Sequence, residues 1–214
     1  MKLRLIILAV SVLFGLTATL GQTQIKLTPL DPNRLPNDLK WEGKIKNAVR
    51  WTDKLGEHWV ITTETGIFQN KKWKHEAEGM DAELFAYHFL MTNGKPQITW
   101  KVYDFIRDCP LDLEATFIKN TFQVTDLNKD GVAEIWLMYK TVCHGDVSPY
   151  DMKIIMYQGG QKYAVRGRNK VKISERGYEG GEYKPDTAFT TGPKEFLDYA
   201  QQLWQKNSLQ TWNE

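Results

Sequence analysis

From Lys44 onward the chain alternates apolar and polar residues in short runs, the two-residue period of half-buried β-strands. "IKNAVRWTDKLGEHWVITTETGIF" predicts a strand, a Gly-containing turn at Lys54–Glu57 and a second strand rich in β-branched residues. "KKWKHEAEGMD" is a polar loop. The aromatic, alternating segments Glu83–Met91 and Gln97–Phe105 flank Asn93–Gly94, a strong hairpin signal. "RDCPLDLEATFIKNTF" breaks the alternation, and with Pro110 limiting strand pairing it predicts a short helix or an irregular crossover. Strands resume at Phe122–Thr125 and Val132–Val142, and "DMKIIMYQGGQKYAVRG" predicts a hairpin around Gly159–Gly160. Beyond a Gly-rich loop at 177–181 the period changes: Phe196, Leu197, Ala200 and Leu203 share one helical face, with Pro193 suited to the first turn.

The pattern implies a mainly β fold of two groups of about four antiparallel strands, closed by a C-terminal helix. They form a sandwich or partial propeller-like blades, since too few strands exist for a full propeller. Residues 44–214 make one such domain. Residues 22–43, with Pro29, Pro32 and Pro36 among polar residues, form an extended N-terminal arm.

The first residues change the picture of where the chain works. Lys2 and Arg4 precede an apolar run from Leu5 to Leu16, and small or short residues lead to a plausible cut before Gln22. Residues 1–21 therefore have the form of a signal peptide, too short an apolar run for a membrane span. An exported protein of the periplasm or cell surface is expected, with no transmembrane span after cleavage. Of 28 basic residues in the chain, removing Lys2 and Arg4 leaves 26, against 26 acidic ones. This balance argues against nucleic acid as a partner, and no basic block in the sequence points to a membrane surface or polyanion. Cys109 and Cys143 are the two cysteines, and in an oxidising compartment such an even pair implies one disulfide; the competing reading is two buried thiols.

"VTDLNKDGVAEIWLMYKT" carries the densest chemistry. Counting from Asp126, side-chain oxygens fall at positions 1, 3, 5 and 9: Asp126, Asn128, Asp130 and Glu134. Gly131 permits a sharp turn and the Val132 carbonyl can point inward. Hard cations such as calcium are held by rings of oxygens at this kind of spacing, and three carboxylates so close repel one another without a cation. An EF-hand is excluded, because position 12 is Leu137, inside an apolar strand. The metal-free alternative is an Asx-stabilised turn at "NKDG", and a catalytic carboxylate pair is a third.

Elsewhere, His144 and Ser148 in "CHGDVSP" lack the frame of a nucleophile site and suggest a capped turn. His58, His75 and His88 have no paired metal-ligand spacing. Asp104, Asp108, Asp112 and Glu114 cluster near Cys109 and could hide a glycosidase pair, though such clusters are usually solvated loop faces. Trp41, Trp51, Trp59, Trp73, Trp100 and Trp136 could stack on sugars, but in alternating strands they are core residues first.

Two resemblances follow from these blocks. The spacing from Asp126 to Glu134 is similar to the calcium loop of FG-GAP-type β-propeller repeats, with every liganding position matched and the FG-GAP flank itself missing. Over most of its mature length, in "DAELFAYHF", "DFIRDCPLDL", "VTDLNKDGVAEIWLMYK", "C-x-GDVSP" and "KYAVRG", the chain resembles an exported Gram-negative family named for surface polysaccharide biosynthesis. That resemblance implies a non-enzymatic accessory of the cell envelope, with an envelope protein or glycan as partner and no catalytic residues to carry over. A secreted inhibitor of a peptidoglycan hydrolase and a carbohydrate-active enzyme are the alternatives.

Overall fold

The computed structural model describes residues 25–175 and 177–210, so the expected signal peptide and its cut lie outside the described residues. Five strands follow one another along the first sheet: β1 (Thr28–Pro29), β2 (Lys44–Asp53), β3 (Gly56–Phe68), β4 (Met80–Thr92) and β5 (Lys95–Cys109). Every pairing in it is antiparallel. The β4–β5 turn is Asn93–Gly94, with φ of 53° and 73°, the left-handed pair that a two-residue hairpin demands.

The second sheet contains β6 (Leu113–Phe117), β7 (Gln123–Thr125), β8 (Glu134–Cys143), β9 (Asp151–Gln158) and β10 (Gln161–Arg168). β11 (Lys170–Lys172) and β12 (Tyr178–Gly180) lie in a separate small sheet, and β13 (Tyr183–Pro185) returns to the edge of β10. The order is β13-β10-β9-β8-β6, with β7 also on β8. Two helices, α1 (Thr187–Thr191) and α2 (Lys194–Asn207), and the short β14 (Leu209–Gln210) complete the described chain.

The stretch expected to be a helix or irregular crossover is β-structure instead. β5 continues to Cys109, Pro110 occupies the turn where its missing N–H is harmless, and β6 forms at once. Leu113 and Ala115 are buried while Glu114 between them is exposed, so alternation resumes three residues after the proline. This is where the chain passes from one sheet to the other. The Cys109–Cys143 disulfide ties the end of β5 to the end of β8 at that passage, beside the Leu113↔Cys143 register pair.

Four layers result. Between the sheets lie Trp51, Leu84, Trp100 and Val102 from the first and Ile135, Leu137, Tyr139 and Ile155 from the second. The far face of the second sheet, with Trp136, Met138, Met152 and Ile154, is covered by Phe196, Ala200, Leu203 and Trp204 of α2. Leu197 of the expected face packs half-buried against the same cluster, the buried Trp204 adds to it, and Pro193 precedes the helix. Each such side chain contributes on the order of 1.5–3 kcal/mol by leaving water. The arm covers the far face of the first sheet with Leu35 and Leu39, laid on Ile61, Phe85, Tyr87 and Phe89. It is a layer of the fold, and its β1 pairs with β2.

The disulfide closes a separation of 34 residues, which in the chain-entropy model stabilises the fold by about 3–4 kcal/mol. Replacing both cysteines by serine is expected to lower the unfolding free energy by that amount in urea titrations. An unchanged midpoint would show that the bond does not constrain the unfolded chain.

Candidate functional site

The acidic loop leaves β7 at Thr125 and enters β8 at Glu134, and these two residues are register partners, so the loop is a closed hairpin end. Its middle is an Asx-type turn: the Asp130 N–H donates to Asn128 Oδ1 (3.3 Å) and the Val132 N–H to Asp130 Oδ1 (2.8 Å). Gly131 has φ of +83°, a value that strains any residue with a Cβ.

Around that turn the structure brings four of the five expected ligands together. The Gln158 Nε2 group, on β9, lies 3.0 Å from Asp130 Oδ2 and 3.4 Å from Asn128 Oδ1, the Val132 carbonyl and Glu134 Oε1. An amide nitrogen carries two hydrogens and cannot satisfy four acceptors. Asp126 makes no hydrogen bond to Gln158, and its Oδ1 is buried with no hydrogen-bond partner. Glu134 is fully buried. Its Oε2 accepts from the Thr125 hydroxyl (2.7 Å) and the Leu127 N–H (2.9 Å). Burial pushes its pKa up to about 7, assisted by Asp126 and Asp130 and opposed by those two hydrogen bonds. The site is thus rich in oxygen and poor in positive charge, a donor set that fits a hard cation. Among the described residues, His, Cys, Asp and Glu side chains do not by themselves gather in threes at metal-binding distance. The converging set here includes an amide and a carbonyl.

Gln158 was not foreseen. It lies opposite Glu134 across the β8–β9 ladder, and only strand order reveals that.

The loop is also anchored to the first sheet. The Lys54 N–H donates to the Gly131 carbonyl (2.8 Å), and the Ala133 N–H to Asp53 Oδ2 (2.9 Å). Asp53 in turn begins a buried chain of hydrogen bonds that sequence spacing did not suggest. Its Oδ1 is 2.8 Å from His58 Nε2, and His58 Nδ1 is 3.0 Å from His88 Nε2. His88 Nδ1 reaches the hydroxyl of Thr99, which sits in a bulge of β5. The Asp53 carboxylate accepts, so His58 donates to it through Nε2–H. Burial, then repulsion from His58, lowers the His88 pKa to about 3, against an opposing effect of Asp53. A base that weak does not activate the Thr99 hydroxyl at neutral pH, so the chain of bonds is a brace. Trp51 and Trp100 enclose it, stacked on His58 and His88 at centroid distances of 5.2 and 4.8 Å.

The remaining candidates separate. Asp104 pairs with Lys153, Asp108 accepts backbone N–H groups of the β3–β4 loop, and Glu114 pairs with Lys140. His144 faces Asp146, which caps a turn by accepting from the Ser148 N–H. A recess of about 510 Å³ is lined by both Glu64 and Glu114. Each of these carboxylates is ion-paired, to Lys46 and Lys140, and Glu64 also accepts from the Phe117 N–H.

Two pH effects of opposite sign follow. For Glu134, the raised folded pKa favours the protonated fold, so its contribution is present below about pH 4.5 and lost as pH rises through about 7. In chelator at pH 8, Glu134→Gln is expected to be more stable than wild type by up to about 3 kcal/mol. The difference is expected to vanish at pH 4.5 and to reverse in millimolar calcium. For His88, the lowered folded pKa favours the neutral fold, so its contribution is present above pH 6.5 and lost as pH falls toward about 3. Between pH 6.5 and 4.5 wild type is expected to lose about 2–3 kcal/mol more than His88→Gln. Melting curves across this range check both, and parallel curves would remove the corresponding assignment.

No family model, curated protein or solved structure matches this chain.

Proposed function

We propose that the chain is an exported, non-catalytic accessory protein of the cell envelope that supports assembly or display of surface polysaccharide, with calcium in the 126–134 loop as a structural part. The observation that carries the calcium assignment is the meeting of four oxygens on one amide nitrogen beside the fully buried Glu134. Asn128, Asp130, the Val132 carbonyl and Glu134 would hold the ion, with Asp126 next to them. Bound calcium supplies the positive charge that lets Glu134 ionise in place. The loop leads into the buried strand Ile135–Tyr139 and is bonded to Asp53 and Lys54, so ordering it also orders the join between the sheets. The disulfide supports an oxidising compartment, and the sequence resemblance supports the link to surface glycans.

In an exported protein a dissociation constant of about 10⁻⁴ to 10⁻³ M suffices for occupancy. At 100 times that constant, binding adds about 2.7 kcal/mol of stability. Asp130→Ala is expected to abolish the calcium-dependent rise in melting temperature while keeping the fold; coincident wild-type curves with calcium and with chelator would leave only a turn. For the cellular role, deletion in the source bacterium is expected to reduce surface-exposed polysaccharide. Unchanged surface glycan, or stoichiometric capture of a peptidoglycan hydrolase from envelope extract, would replace this function with the inhibitor reading.

A further inference from the structure

A cavity of about 280 Å³ opens between the sheets where β2 and β3 face β8. Its rim is the connection from β6 to β7, residues 118–122. Phe117, Phe122 and Leu137 give it apolar walls, and Asn47 and Thr62 line it from the first sheet. Asn47 and Thr62 are direct partners across β2 and β3, so both project from the same face. A bulge between Ile45 and Asn47, with Lys46 as the extra residue, sets that pairing.

The rim is held in place. The Ile118 N–H donates to the Met138 carbonyl (2.9 Å), the Phe117 N–H to Glu64 Oε1 (2.8 Å) and the Thr121 hydroxyl to the Ile118 carbonyl (2.6 Å). Asn120 turns the chain there with φ of 61°, a left-handed value that asparagine tolerates better than most residues. A site fixed in advance loses little entropy when a ligand arrives.

Charge is nearly cancelled within it. Buried Glu64 holds Lys46 at 3.0 Å, and in the adjoining recess Glu114 holds Lys140, which leaves Lys119 on the exposed rim. The groups left open are neutral. Thr62 is only 3% exposed, yet among the described residues its hydroxyl has no hydrogen-bond partner. The side-chain amides of half-buried Asn47 and of Asn120 at the rim have none either. Hydroxyls and amides both donate and accept, so they match a ligand whose own groups do both. The walls match an apolar ring face. A fatty acid would leave Thr62 and the amides unpaired, which is expensive out of water. An anion would find Lys119 alone, opposed by Glu64. A neutral sugar, with C–H faces and a rim of hydroxyls, answers both features. The volume lies near the lower end for small-ligand sites, enough for one ring. The adjoining recess of about 510 Å³ shares Lys46, Glu64 and residues 117–119 with the cavity, so the ring can be the end of a longer chain.

We infer that this cavity binds one neutral sugar ring, the end unit of a glycan, with Thr62, Asn47 and Asn120 on its hydroxyls and Phe117 and Phe122 against its C–H faces. The site deepens the envelope reading, on which it rests only for the compartment where such a glycan is met. Nuclear magnetic resonance titration of the isotope-labelled protein would use the methyl glycosides of glucose, galactose and mannose as probes, with octanoate and galacturonate as comparisons. At least one glycoside is expected to bind at millimolar concentration and to shift the backbone signals of Asn47, Thr62 and Asn120. Thr62→Val keeps the side-chain shape and removes the hydroxyl, and is expected to weaken that binding about tenfold without lowering the melting temperature. Asn120→Gly, which accepts the positive φ, is expected to weaken it about fivefold. The sugar site is overturned if no glycoside binds, if the shifted signals lie elsewhere, if octanoate or galacturonate binds more tightly, or if both variants bind like wild type. A deletion strain that loses surface glycan, while the protein ignores all three glycosides, keeps the envelope role and removes this site. Glycoside binding in the cavity with an unaffected deletion strain does the reverse.

Discussion

One carboxylate holds the two sheets in register. Asp53, at the end of β2, accepts from the Ala133 N–H of the acidic loop, just before β8 of the second sheet, through one oxygen and meets His58 and the Leu55 N–H through the other. Its side chain and that of His58 are each only 4% exposed, so these bonds act where water does not compete. Removing Asp53 would leave imidazole and amide donors unsatisfied at the same point, and an unmade buried hydrogen bond is expensive. The acidic loop, the β2–β3 turn and the Trp51–His58–His88–Trp100 stack all take their positions from it.

Much of the fold was legible because it is local. Asn93–Gly94, Gly159–Gly160 and the face of α2 are set by neighbours in sequence, and each formed where the pattern placed it. The stretch after Pro110 reads as a break because proline opposes strand pairing, yet this proline lies in the turn before a strand. The arm's Leu35 and Leu39 are too sparse to show periodicity, yet the sheet beneath offers them a complete apolar surface.

The site was half legible for the same reason. Asn128, Asp130, Val132 and Glu134 are close in sequence, so their convergence could be anticipated. Gln158, Asp53, His58 and His88 join through strand pairing, where register decides contact and spacing says nothing.

The strand order carries a consequence for how the chain folds. The first sheet is a run of sequential hairpins, each strand pairing with the one just before it, so it can grow as the chain emerges. The second cannot, because β6 and β7 both wait for β8. Until β8 appears, the inner face of the first sheet, with Trp51, Leu84 and Trp100, has no partner. The interval between Cys109 and Cys143 is therefore the vulnerable phase of folding, when a broad apolar surface is open to aggregation.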